Sequence, residues 1–305
     1  MCNVVSGAGV DPERLEGSVI MSPILNSLRI ALMALLAGAT LVVSLRPRAA
    51  ASQEPSVRLA LVNVPDDVLR PLLPDFQRQT GMSAEIVYTG NNPFAVAREG
   101  KADLVISHYG HPGVQPFITA GLGLWPHTVF ANTYALIGPP SDPAHVRGLA
   151  DGAEAFRRIA QTKSTFVVNN AVGGKYIENI LWSDAGIVPA GSWYVDVKVQ
   201  GPSAAQVAGQ RAAYVLWGLP PFLRLKQQEH LDLVPLVVRD PLFQRVMVSI
   251  VVNPKKVPGT NADAAKAFEA YLLLPPTQAH IRAFRYPDLD QQAWWPAGRN
   301  NNARE

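Results

Sequence analysis

Phe166-Val-Val-Asn-Asn-Ala-Val-Gly-Gly-Lys175 sets a β-branched run, a polar turn and the start of a helical pattern side by side. The run reads as a buried strand. A helix from about Gly174 to Ala185 follows, and Gly186 stops it. Backbone N–H groups at such a helix start, together with small polar side chains, can hold a small ligand. Two earlier strand-to-helix turns are built alike. Asn63 follows the strand Val57–Val64 and precedes Pro65-Asp66-Asp67, which open a helix ended by Gly81. Thr89-Gly90-Asn91-Asn92 follows the strand Ala84–Tyr88 and leads into a short helix. Recurrence of one turn type at strand ends points to a binding cleft.

Working outward, Ala102–Ser107 reads as a third strand, and strands alternating with helices imply a parallel α/β sheet. Thr128–Ile137 is a long strand pattern that ends in Gly138-Pro-Pro-Ser-Asp-Pro143, a crossing into a second lobe. Asp151-Gly-Ala-Glu154 has capping-box form and starts a helix through Gln161. Strands follow near 213–217 and 233–238, then a second long β-branched run, Arg245–Asn253. Two helices close the chain, near 261–274 and 277–284. Two lobes joined by two long strands make a hinge, with the ligand cleft between the lobes. The expected division is 52–135 plus 245–298 for lobe 1 and 136–244 for lobe 2, with a disordered tail at 299–305.

The 305 residues carry a net charge of +3, too small and too scattered for nucleic-acid binding. Residues 1–51 read as a leader. Arg29 precedes the uncharged run Ile30–Leu45, shorter than the roughly 20 residues of a membrane span. Ala49-Ala50-Ala51 then offers small residues for signal-peptidase cleavage. Met1 and Met21 are both candidate starts. Cys2, the only cysteine, lies before that cleavage. The mature chain therefore has no disulfide, thiolate nucleophile or Cys-ligated zinc, and a periplasmic location is expected.

Leu72–Gly81 resembles the first helix of periplasmic solute-binding proteins. More narrowly, Gly100–His108, Gly138–Pro143, Ala155–Ala160, Leu181–Gly186 and Gly191–Tyr194 resemble the tungstate-binding proteins of ABC importers. The resemblance runs from about residue 57 to 297. It implies a type II periplasmic-binding-protein fold, no catalysis, no cofactor, a monomer, and a membrane permease as partner. The implied ligand is a tungstate- or molybdate-like oxyanion. The same fold also serves sensory modules that present a ligand state to a partner, an alternative that the sequence leaves open.

The ligand motifs depart from that family's pattern. Its Thr- and Ser-rich first turn is here Val62-Asn63-Val64-Pro65-Asp66. Its second-lobe arginine corresponds to Asn169, and its Ser and Thr at the next helix to Gly173 and Lys175. Its Asp-Arg turn is Leu216-Trp217-Gly218-Leu219. A small organic solute would suit this Asn-rich cleft as well as an oxyanion. The candidate ligand set is Asn63, Asp66, Thr89, Gly90, Asn91, Asn92, Asn169, Asn170, Gly173, Gly174, Lys175 and Trp217. Lys175 is the candidate replacement charge, and Asp66, if it faced the cleft, would repel an anion. On this reading Asn169→Ala and Lys175→Ala weaken binding at nearly unchanged melting temperature. His108, His111 and His127 lack a carboxylate at ligand spacing and read as hydrogen-bonding residues rather than metal ligands. No nucleophile elbow or phosphate loop is present.

Overall fold

The computed structural model describes residues 56–63 and 65–297, so the expected leader and the 299–305 tail lie outside the described residues. Strand β1 (Ser56–Leu61) leads to α1 (Asp66–Leu69), a 3-10 turn and α2 (Leu73–Thr80). Gly81 ends α2 at φ 70°, and its N–H donates to the Gln77 carbonyl. Then come β2 (Ser83–Thr89), α3 (Pro93–Arg98), β3 (Leu104–His108) and α4 (Val114–Thr119). Strand β1 lies between β2 and β3 and is parallel to both. One face buries Leu59, Leu61 and Ile106 with Leu69 and Phe76; the other buries Ala60 and Val105 with Phe94 and Phe117. Helices on both faces explain why Leu59–Leu61 of β1 and Leu104–Ser107 of β3 are buried at every residue, while β2 at the sheet edge alternates.

Strand β4 (His127–Gly138) opens the second half, with α5 (Gly152–Thr162), β5 (Phe166–Val167) and α6 (Val172–Asp184) after it. The expected cap of α5 is formed: Asp151 Oδ1 accepts from the Glu154 N–H at 3.0 Å. Next are β6 (Tyr194–Val195), α7 (Pro202–Gln210), β7 (Val215–Gly218), α8 (Leu219–Glu229) and β8 (Val234–Val237). Pro220 and Pro221 hide α8 from a periodicity reading. In its first turn their missing N–H groups would have no intrahelical partner anyway. Strand β9 (Gln244–Val251), α9 (Ala262–Leu272), α10 (Pro275–Ala283) and β10 (Trp295–Pro296) return to the first half.

Strand β4 changes partners halfway. From His127 to Thr133 it runs antiparallel to β9 and pairs near its start with β10. From Tyr134 onward it pairs with β7 and β8. Strand β9 in turn lies against β3. The two long strands thus join an α/β lobe built on β1–β3 to one built on β5–β8. One core cluster runs through the crossing, joining Phe130 and Met247 to Trp217, Leu219 and Phe222. Among the described residues, no helix is long and apolar enough to cross a membrane.

Candidate functional site

Because β1, β2 and β3 are parallel, their C-terminal turns share one edge of the first lobe. The Asn63 amide donates to Asn91 Oδ1 across that edge. His111 Nδ1 accepts from the Gly113 N–H at 3.0 Å, so Nε2 carries the proton and donates to the Asn91 carbonyl at 3.1 Å. The Asn92 N–H donates to the Tyr88 hydroxyl at 3.1 Å, and the Gly90 N–H to the Leu61 carbonyl at 3.0 Å. Any side chain at Gly90 would collide with that hydroxyl, which is why glycine stands there. Asn63, Thr89, Asn91 and Asn92 remain exposed.

In the second lobe, Asn169 is 1% exposed. Its Oδ1 accepts from the N–H groups of Gly201 at 2.9 Å and Ala171 at 3.2 Å, and its Nδ2 donates to the Leu216 carbonyl at 3.2 Å. The side chain is spent on fastening the loop before α7 and strand β7 to the start of α6. Asn170 acts similarly, donating to Asp196 Oδ1 at 3.0 Å and to the Val199 carbonyl at 3.2 Å. Lys175 donates to Glu178 Oε1 and to the Tyr194 hydroxyl, each at 2.7 Å. Burial pushes the Glu178 carboxyl up from its usual range, against the pull of Lys175. The charge of Lys175 is therefore matched within its own helix. It is not the open cation expected at this turn.

Sequence reasoning missed a group that the hinge strands and the start of α6 bring together. Arg245 on β9 lies directly opposite Asn132 on β4. Its Nη1 donates to the Tyr134 hydroxyl at 2.7 Å, and its guanidinium stacks 4.8 Å from the Tyr134 ring centroid. A Cβ on Gly173 would fall 3.0 Å from that hydroxyl and 3.1 Å from Arg245 Nη1, so glycine permits the approach. Gly174 has more room. His108, at the end of β3, places Nε2 3.4 Å from Asn132 Nδ2. Burial, then the charge of Arg245, lowers its pKa to about 3, so the imidazole is neutral. A lone arginine heading the β-branched run after it was the only sequence signal.

Two further candidates lie apart from this group. Asp66 accepts from Arg224 Nη2 at 3.1 Å and lies 3.6 Å from Arg70 Nε, so its charge is compensated. Asp67 completes the clasp, accepting from Arg224 Nη2 at 2.6 Å and from the Tyr286 hydroxyl at 2.8 Å. Trp217 is 8% exposed within the core cluster that holds Ala135, Val215 and Phe222. Tyr134 packs on the other cluster, with Leu216 and the α5–α6 pair. Among the described residues, no hydrogen bond joins the Asn63–Asn91 pair to the Asn169–Lys175 segment. A cavity of about 360 Å³ opens at the end of α8, beside Lys226, His230 and Asp288, and shares no residue with these turns.

Residues 57–286 match the model of the bacterial extracellular solute-binding protein family. A tungstate-binding protein of Peptoclostridium acidaminophilum is 31% identical over 215 residues, 69% of this chain and 74% of that protein. The solved tungstate-binding protein of Desulfovibrio alaskensis superposes with a TM-score of 0.68 at 23% identity, over 80% of this chain and 100% of that one. The tungstate ABC transporter structure from Geobacter sulfurreducens gives 0.62 at 25% identity, over 75% of this chain and 98% of that one.

Proposed function

We propose that this chain, which belongs to the bacterial extracellular solute-binding protein family, captures a small anion between its two lobes and delivers it to the permease of an ABC importer. The family is one of binding proteins and not of enzymes. The observation that carries the reading is the crossing of β4 and β9, where β4 exchanges β9 for β7 and β8 between Thr133 and Tyr134. Two long strands carry the chain between the lobes, so closure around a guest by hinge motion is what we infer for this fold. We assign the lobes as 52–135 with 245–298 and 136–244. Residues 1–51 act as the export signal, and the working location is the periplasm.

The oxyanion class is supported by the tungstate-binding relatives and by compensation of Asp66, which removes the expected repulsion. Isothermal titration of the chain purified from an exporting host tests the reading. Tungstate or molybdate should bind with a Kd of about 1 μM or tighter, about −8 kcal/mol. Small-angle scattering should show compaction on binding. Heat only from neutral solutes would sink the anion assignment, and binding without compaction would sink lobe closure.

A further inference from the structure

We propose that Arg245 is the ligand-binding cation of the cleft, seating a small oxyanion between its guanidinium and the first turn of α6. The inference rests on the anion-capture reading above and names the residue that would decide its specificity.

Charge accounting leads to Arg245. The other cations beside the candidate turns have acidic partners: Lys175 with Glu178, Lys198 with Asp196, and both Arg70 and Arg224 with Asp66. Arg245 has no carboxylate partner among the described residues; its hydrogen bond goes to a phenol. A partly buried guanidinium without a carboxylate partner keeps its remaining N–H groups for an incoming anion. Tyr134 holds it in one orientation, so little side-chain freedom is lost on binding.

The surroundings fit the same guest. Gly173 puts no side chain between Arg245 and the backbone of α6. The N-cap of α6 is Ala171, which supplies no side-chain acceptor for the first-turn N–H groups. An oxyanion with two or more acceptor oxygens would accept from the guanidinium and from that backbone together. His108 and Asn132 are neutral donors or acceptors beside Arg245, and neither opposes an anion. Since Arg245 sits on a hinge strand and Gly173 on the second lobe, a guest touching both would favour one lobe arrangement. The shared chemistry fits metal oxyanions and small carboxylates alike.

Titrations of the purified full chain with tungstate, molybdate, acetate and oxalate separate these cases. Arg245→Gln should weaken every anion that the wild type binds by about 30-fold or more. Arg245→Lys should lose less, and Gly173→Ala should also weaken binding by displacing the guanidinium. Arg78→Gln, which removes an exposed charge on α2, should stay within about twofold. Losses confined to tungstate and molybdate identify metal oxyanions as the guest, and losses confined to acetate and oxalate identify carboxylates; either supports the assignment. Unchanged affinity in Arg245→Gln overturns it while leaving anion capture standing. A wild type that takes none of the four anions overturns both.

Discussion

Lys175 Nζ lies 2.7 Å from Glu178 Oε1, one helical turn away, and Glu178 is fully buried. The pair turns a lysine that the sequence offers as a ligand into a structural counter-charge. Lys175→Ala should therefore destabilise the protein, by about 2 kcal/mol at pH 8, since it strands a buried carboxylate. The Glu178 pKa is already raised by burial, and loss of the lysine raises it further. A carboxyl raised in the folded state favours folding below its unfolded pKa and loses that contribution as pH climbs through the folded value. Melting curves should thus show the deficit shrinking toward pH 4.5; an equal deficit at both pH values would contradict this.

Asn169→Ala should unfold the protein more readily rather than merely weaken binding. The buried amide serves the N–H groups of Ala171 and Gly201 and the carbonyl of Leu216. Removing it leaves three backbone groups without this partner, the Leu216 carbonyl buried and the two N–H groups partly so, at a cost of about 2 kcal/mol. The forecast of an unchanged melting temperature, natural for an open turn residue, does not survive this geometry. Urea denaturation would decide, and a midpoint within error of wild type would refute the revised expectation.

Arg224 bridges α8 to Asp67 at the start of α1, with Tyr286 on the same carboxylate oxygen. A double-mutant cycle of Arg224→Ala and Asp67→Asn should give a coupling of about 1–2 kcal/mol, reduced in 1 M salt. Strict additivity would mean that the clasp contributes nothing.

His108 should stay neutral far below the ordinary histidine range. Its pKa is lowered to about 3, first by burial and then by Arg245. Between that value and about 6.5 the unfolded chain binds the extra proton, so stability falls with acid, by about 1.4 kcal/mol per pH unit from this group. His108→Asn should flatten the acid limb of the stability curve. A His108 imidazole NMR signal, identified by its loss in His108→Asn, that titrates near pH 6 in the wild type would rule this out.

Much of the architecture was legible along the chain. β-branched runs, Gly81 and Gly186 as stops, and Asp151 as a cap are local signals, and each element they mark is present. Parallel pairing of β1–β3 followed from strand–helix alternation, whereas the crossing expected at Gly138–Pro143 begins earlier, where β4 exchanges partners between Thr133 and Tyr134. Short pieces escaped, such as β6 and β10, because two residues carry no periodicity.

Sequence by itself determined the main strands and helices, since backbone propensity, hydrophobic period and turn chemistry act over a few residues, while the family came from the resemblance of motifs such as Gly100–His108 and Leu181–Gly186. It also marked the polar turns that follow β1 and β2, whose Asn63 and Asn91 meet. Tertiary structure alone decided which polar groups are already engaged. Asn169 and Lys175 look free in a string of letters and are satisfied in space, whereas Arg245 looks like a strand residue and faces a tyrosine 111 positions away. Charge compensation depends on distance through space, and residue order carries no record of that distance.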